Sequence, residues 1–235
     1  MFYNCKSLES LDLKSFNTES ADTMQEMFSG CSGLKSIDIT SFDTDKVTDM
    51  KGMFSGCSGL TKLDVSELET TLVTTMASMF EGCSSLKTLD LSHFKVANVV
   101  YLTSFLSGCT SLVNIDFSNF ITTDCLINTD LMFAYCSNLT NLNLRGLKTN
   151  NLDSMDQMFL GCTSLFSLDL STFNTSSLTS VEQSFSQMPN LRYINLDNWS
   201  FESVADANKM FYDTPNLPEE VKLTFISGLS FRVSI

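Results

Sequence analysis

A chain of 235 residues that is 43% hydrophobic and 17% charged can bury a sizeable core and is too apolar to be a disordered tail. No window reaches the roughly 18 uninterrupted apolar residues of a membrane span, and no basic stretch followed by an apolar run opens the chain. A net charge of −13 disfavours nucleic acid and anionic lipid, whose phosphates need Lys and Arg, and points to solubility, with at most weak attraction for basic partners or cations.

The chain repeats. A Met-Phe pair recurs as Met1-Phe2, Met27-Phe28, Met53-Phe54 and Met79-Phe80, then as Phe105-Leu106, Met132-Phe133, Met158-Phe159, Ser184-Phe185 and Met210-Phe211. The step is 26 residues apart from a single 27. Such a period predicts a stack of about nine coils, starting near 1, 27, 53, 79, 105, 132, 158, 184 and 210. Three residues after each Phe stands Cys5, Cys31, Cys57, Cys83, Cys109, Cys136 or Cys162, replaced by Met188 and Thr214 in the last two units. A Leu follows three residues later, from Leu8 and Leu34 to Leu191 and Leu217.

Next comes a triplet such as Leu63-Asp64-Val65, whose apolar residues alternate around a polar one as strand neighbours do. A bulky column follows (Phe16, Phe42, Leu68, Phe94, Phe120, Leu147, Phe173, Trp199). Val47, Met50, Met53 and Phe54 then fall three to four apart, which predicts a short helical turn, ended by Gly30, Gly56, Gly82, Gly108 and Gly161 in the left-handed conformation. One coil has nothing to bury its apolar positions against, so stacking must supply the core. The expected architecture is a leucine-rich-repeat-like solenoid of nine coils, with one parallel β-sheet and short helical turns.

The Cys-x-x-Leu-x-x-Leu-x-Leu segment, the Phe-Asp-Thr stretch at 42–44 and the Val-Thr-Asp-Met-Lys-Gly-Met-Phe run at 47–54 resemble the BspA-like leucine-rich repeats of bacterial surface proteins, including the mycoplasma-type lipoprotein repeats. The resemblance spans essentially the whole chain and departs in the last unit, where Val221 and Leu223 fall one residue late after Pro218. It implies a secreted or cell-surface protein used in adhesion or host contact, with the repeats often one segment of a longer chain. It carries over no catalytic residue. Met1 shares the column of Met27 and Met53 and so reads as an internal residue of such a longer chain, and residues 221–235 alternate around Ser227-Gly228 as a capping hairpin would.

The eight cysteines lack the two-to-four-residue spacing of a structural zinc site. Seven share one apolar column with Met188, the pattern of a small buried hydrophobe, although adjacent coils also bring Cα atoms within disulfide range. Cys125 aligns with Val47 and Val99 and is expected in the core. His93 is the one histidine, in a column that otherwise holds Ser15, Ser41, Glu67, Asn119 and Asn198, and no nucleophile is placed uniquely beside it. No catalytic residue, metal ligand or cofactor is assigned.

Two candidate surfaces remain. The outward strand column reads Asp12, Asp38, Asp64, Asp90, Asp116, Asn143, Asp169 and Asn195, an acidic row that predicts weak cation binding, raised pKa values, or plain solvation beside Lys14 and Lys62. Its flanking columns read as Ser, Thr, Asn and Lys, with Tyr193 and Arg145 as exceptions, so aromatic anchors are not expected there. The second surface is Val100, Tyr101, Leu126 and Ile127, apolar where other coils have residues such as Thr48-Asp49. With the extra residue placed after Ile127, these four form an exposed patch; a shifted register would instead turn Leu126 and Ile127 inward. The functional expectation is an adhesin-type module that binds a protein or glycan on another cell or host. The alternatives are a polysaccharide-active enzyme on a parallel β-helix and a spacer without a ligand.

Overall fold

In the computed structural model, which describes residues 1–221, the 26-residue period is one turn of a stack of coils around a continuous apolar core. The Phe column forms a ladder of rings. Phe2, Phe28, Phe54 and Phe80 stack at 5.6–5.9 Å between centroids, and Phe133, Phe159, Phe185 and Phe211 at 5.4–5.7 Å. Coil five has Leu106 in that column. The missing ring is replaced from two neighbouring columns: Phe105 meets Phe80 edge-on at 5.3 Å, and Phe117 meets Phe133 edge-on at 5.5 Å. Local volume is thus conserved although the column is broken.

The segment expected as a helical turn is not helical. Met27 N–H donates to the Met24 carbonyl and Cys31 N–H to that of Phe28, which closes successive four-residue turns. The N–H groups of Met24, Glu26, Phe28 and Gly30 instead leave the coil and donate to Asp49, Lys51, Met53 and Ser55 of the next, at 2.7–2.9 Å. An α-helix would consume those donors within the coil and leave nothing to hold the stack. Pointing every second N–H along the axis requires left-handed residues. From Glu26 on these come in pairs, one in the Glu26 column (φ 51–61°) and one in the next column, at Gly30, Gly56, Gly82, Gly108 and Gly161 (φ 69–74°) or at the non-glycine Tyr135, Gln187 and Asp213 (φ 56–61°). The expected left-handed glycines are therefore present, ending turns and not helices. Beside them a row of seven parallel bridges runs unbroken through Thr23, Asp49, Thr75, Tyr101, Asn128, Ser154, Ser180 and Asp206.

On the opposite side the triplets pair only locally. β1 (Asn114–Asp116) pairs with β2 (Asn141–Asn143), and β3 (Ser167–Asp169) with β4 (Tyr193–Asn195), all parallel. The single sheet is thus two two-stranded sheets among the described residues. Three-residue strands are too short to impose spacing, which the core and turn side already set. Ile115, Leu168 and Ile194 point inward as the alternation predicts, while Leu142 is only partly covered.

Two further ladders stitch the coils together. Cys31, Cys57, Cys83, Cys109, Cys136 and Cys162 are buried and free, and each thiol donates to a carbonyl of the preceding coil at 3.0–3.3 Å. Thr18, Thr44, Thr70, Thr122, Thr149 and Thr175 each both accept an N–H from the next coil and donate to a carbonyl of the same residue in it. The Thr122 bonds to Lys148 fix the register of the extra residue: it lies between Thr122 and Leu126, not after Ile127. That places Leu126 in the core column of Val99 and moves Cys125, expected in the core, to the surface. The proposed hairpin lies outside the described residues, except that residues 219–221 are helical.

Candidate functional site

The apolar patch expected from Val100, Tyr101, Leu126 and Ile127 survives only in part. Leu126 is fully buried, so its expected exposure is corrected. Ile127 N–H donates to the Val100 carbonyl, which puts those two half-buried residues in one column, and Tyr101 bridges to Asn128 rather than standing beside Ile127. Tyr101 remains 45% exposed.

The acidic column has a structural occupation. Asp12, Asp38, Asp64, Asp90, Asp116 and Asp169 each accept the backbone N–H two residues on, at 2.8–3.1 Å, and Asn143 and Asn195 accept theirs at 3.3 and 3.0 Å. This turn follows every strand triplet, which is why Asp and Asn alternate there without consequence for the fold. At four members of the column the shift runs opposite to the expected rise. A hydrogen bond from the Thr40 side chain holds Asp38 below the ordinary carboxylate value, a backbone bond from Ser66 or Ser92 does so for Asp64 and Asp90, and the Ser171 side chain for Asp169. Donors to the ionised oxygen outweigh repulsion between neighbours. The carboxylate whose pKa is raised lies elsewhere, on the turn side: burial pushes Asp156 up, against hydrogen bonds from Ser180 and Glu182 and with added repulsion from Asp130 and Glu182.

The strand face carries a shallow groove of about 740 Å³ over coils four to seven. Its floor is Leu89, Ile115 and Leu142; its walls are Asp90, Asp116, Asn143 and Asp169 on one side and Asn114, Asn141 and Ser167 on the other. The Asn141 amide donates to Asn114 Oδ1 at 2.5 Å. No Lys or Arg lines it. At its far end Phe166 and Tyr193 are 56% and 57% exposed, with the Arg192 guanidinium 5.5 Å from the centre of the Phe166 ring. These aromatic residues correct the expectation of a face without anchors. Phe166 escapes a reading by columns because it directly follows core Leu165 and sits one residue before its strand.

His93 Nε2 donates to the Val65 carbonyl at 2.7 Å, a role that the Ser41 hydroxyl fills toward Leu13 two coils earlier. It is a coil-to-coil tie. Among the described residues no group of three or more His, Cys, Asp or Glu is arranged to hold a metal ion, and no helix is long and apolar enough to cross a membrane.

The sequence pattern of DUF285, described as a mycoplasma protein of unknown function, matches residues 1–120, 31–145 and 127–225. The chain belongs to this family. Staggered, overlapping matches are what a repeat produces, because a pattern several coils long fits at more than one phase of the stack. No curated protein matches this DUF285 chain. Among solved structures it is similar to a leucine-rich repeat protein from Bacteroides ovatus (17% identity over 100% of this chain and 86% of that one, TM-score 0.40). It is also similar to the functional domain of InlJ from Listeria monocytogenes, which includes a cysteine ladder (14% identity, 90% and 67% coverage, TM-score 0.24). A leucine rich cell surface protein from Faecalibacterium prausnitzii shares 16% identity over 73% and 75% of the two chains, with a TM-score of 0.20.

Proposed function

We propose that this chain is a secreted or cell-surface binding module of the adhesin type, and not an enzyme, which presents the strand face of its later coils to a protein or glycan on another cell or host. The observation that carries this reading is the polar groove together with two exposed aromatic residues outside its lining, Phe166 next to its lining residue Ser167 in the chain and Tyr193 in register with Ser167 one coil on, on a scaffold whose other large apolar side chains are mostly inside. Exposed aromatic residues at the rim of a formed groove mark contact sites. The engagement of His93 and of the Asp column in structural hydrogen bonds leaves them without an assigned chemical role. The resemblance of the repeat motifs to bacterial surface proteins supports the location. Nucleic acid is disfavoured by a groove with three Asp and no cationic residue.

A second reading places the partner on the turn side, at Val100, Tyr101 and Ile127. Binding of fluorescently labelled chain to bacterial and epithelial cells separates the two. Replacing Phe166 and Tyr193 together with Ser is expected to abolish binding, and replacing Val100 and Tyr101 with Thr to leave it intact. The reverse pattern moves the partner to the turn side, and a chain that binds no cell surface sinks the module reading altogether.

A further inference from the structure

We draw no further inference here: the strongest candidate, the shallow groove on the strand face of coils four to seven, belongs to the site already described, and nothing in the structure fixes its occupant.

Discussion

Along the turn side, seven bridges run from Thr23 to Asp206 and every second N–H crosses to the next coil, whereas on the strand face regular pairing among the described residues is confined to β1–β2 and β3–β4. The buried ladders of Phe, Cys and Thr hold the stack together with the turn side. Because the coils are already spaced and aligned there, the outward strand columns are free to change: the place of Lys62 in coil three is taken by Asn114, Asn141, Ser167 and then Tyr193 without disturbing the stack. The repeat thus separates a part that must be uniform from a face that can carry specificity.

The largest expected effect breaks the uniform part. Phe54 lies between Phe28 and Phe80 with no exposed surface, so Phe54→Ala should cost about 3–5 kcal/mol, while Phe166→Ala on the strand face should change stability by less than about 0.5 kcal/mol. Urea unfolding of both variants measures the contrast. Similar losses would mean that the strand face also carries the stack.

A smaller effect is expected at the Thr ladder. Thr70→Val removes a hydroxyl that accepts Lys95 N–H at 2.8 Å and donates to its carbonyl at 3.2 Å, which strands two backbone groups and should cost about 1–3 kcal/mol. Coil four already has Val96 in this column, so Val96→Thr in the same urea series should not be destabilising by a comparable amount. If Thr70→Val is neutral, water replaces the hydroxyl and the ladder is ornamental.

Much of this uniform part was legible in the sequence. Period, Phe column, Cys column and inward alternation follow from spacing alone. The consecutive turns did not, because bonds that close on the third residue produce nearly the same apolar spacing as a helix, and Val47, Met50 and Met53 cannot tell the two apart. The extra residue was misplaced for a similar reason. Thr122 and Thr123 are identical, and only the bonds of Thr122 to Lys148 show which of them continues the column. The Asp row was visible, but its role depends on which oxygen meets which N–H, and that is a matter of geometry. Of the groove, the polar walls could be read from columns; its aromatic end could not.

The cysteines sharpen the comparison by reactivity. Burial pushes the thiols of Cys57 and Cys136 up to about 12 and raises those of Cys31, Cys83, Cys109 and Cys162 as well, while Cys5 and Cys125 are exposed. Native protein should therefore show two fast thiols towards a bulky maleimide, and all eight should react after denaturation without reductant. A shortfall in the denatured sample would reveal disulfides between coils. More than two fast thiols in the native sample would show that the turn side opens.

The smallest effect concerns charge, and here the two sides should respond to pH with opposite sign. Asp90 on the strand face has a depressed pKa, caused first by the Ser92 N–H, so its contribution is present above the ordinary carboxylate value and is lost as pH falls through the folded value. Asp156 on the turn side has a raised pKa, caused first by burial, so its contribution is full below the ordinary carboxylate value and is lost as pH rises through the folded value. Asp90→Asn should then lower the melting temperature at pH 7, and Asp156→Asn should raise it, because Asn keeps an oxygen for Ser180 and Glu182 without the charge that faces Asp130. Both differences should shrink toward about pH 3, where the carboxyl groups approach the uncharged state that Asn imitates. A drop in melting temperature for Asp156→Asn at pH 7 would show that the bonds from Ser180 and Glu182 need the full negative charge and outweigh the cost of burying it. The turn side would then hold its coils together through that carboxylate as well as through its backbone.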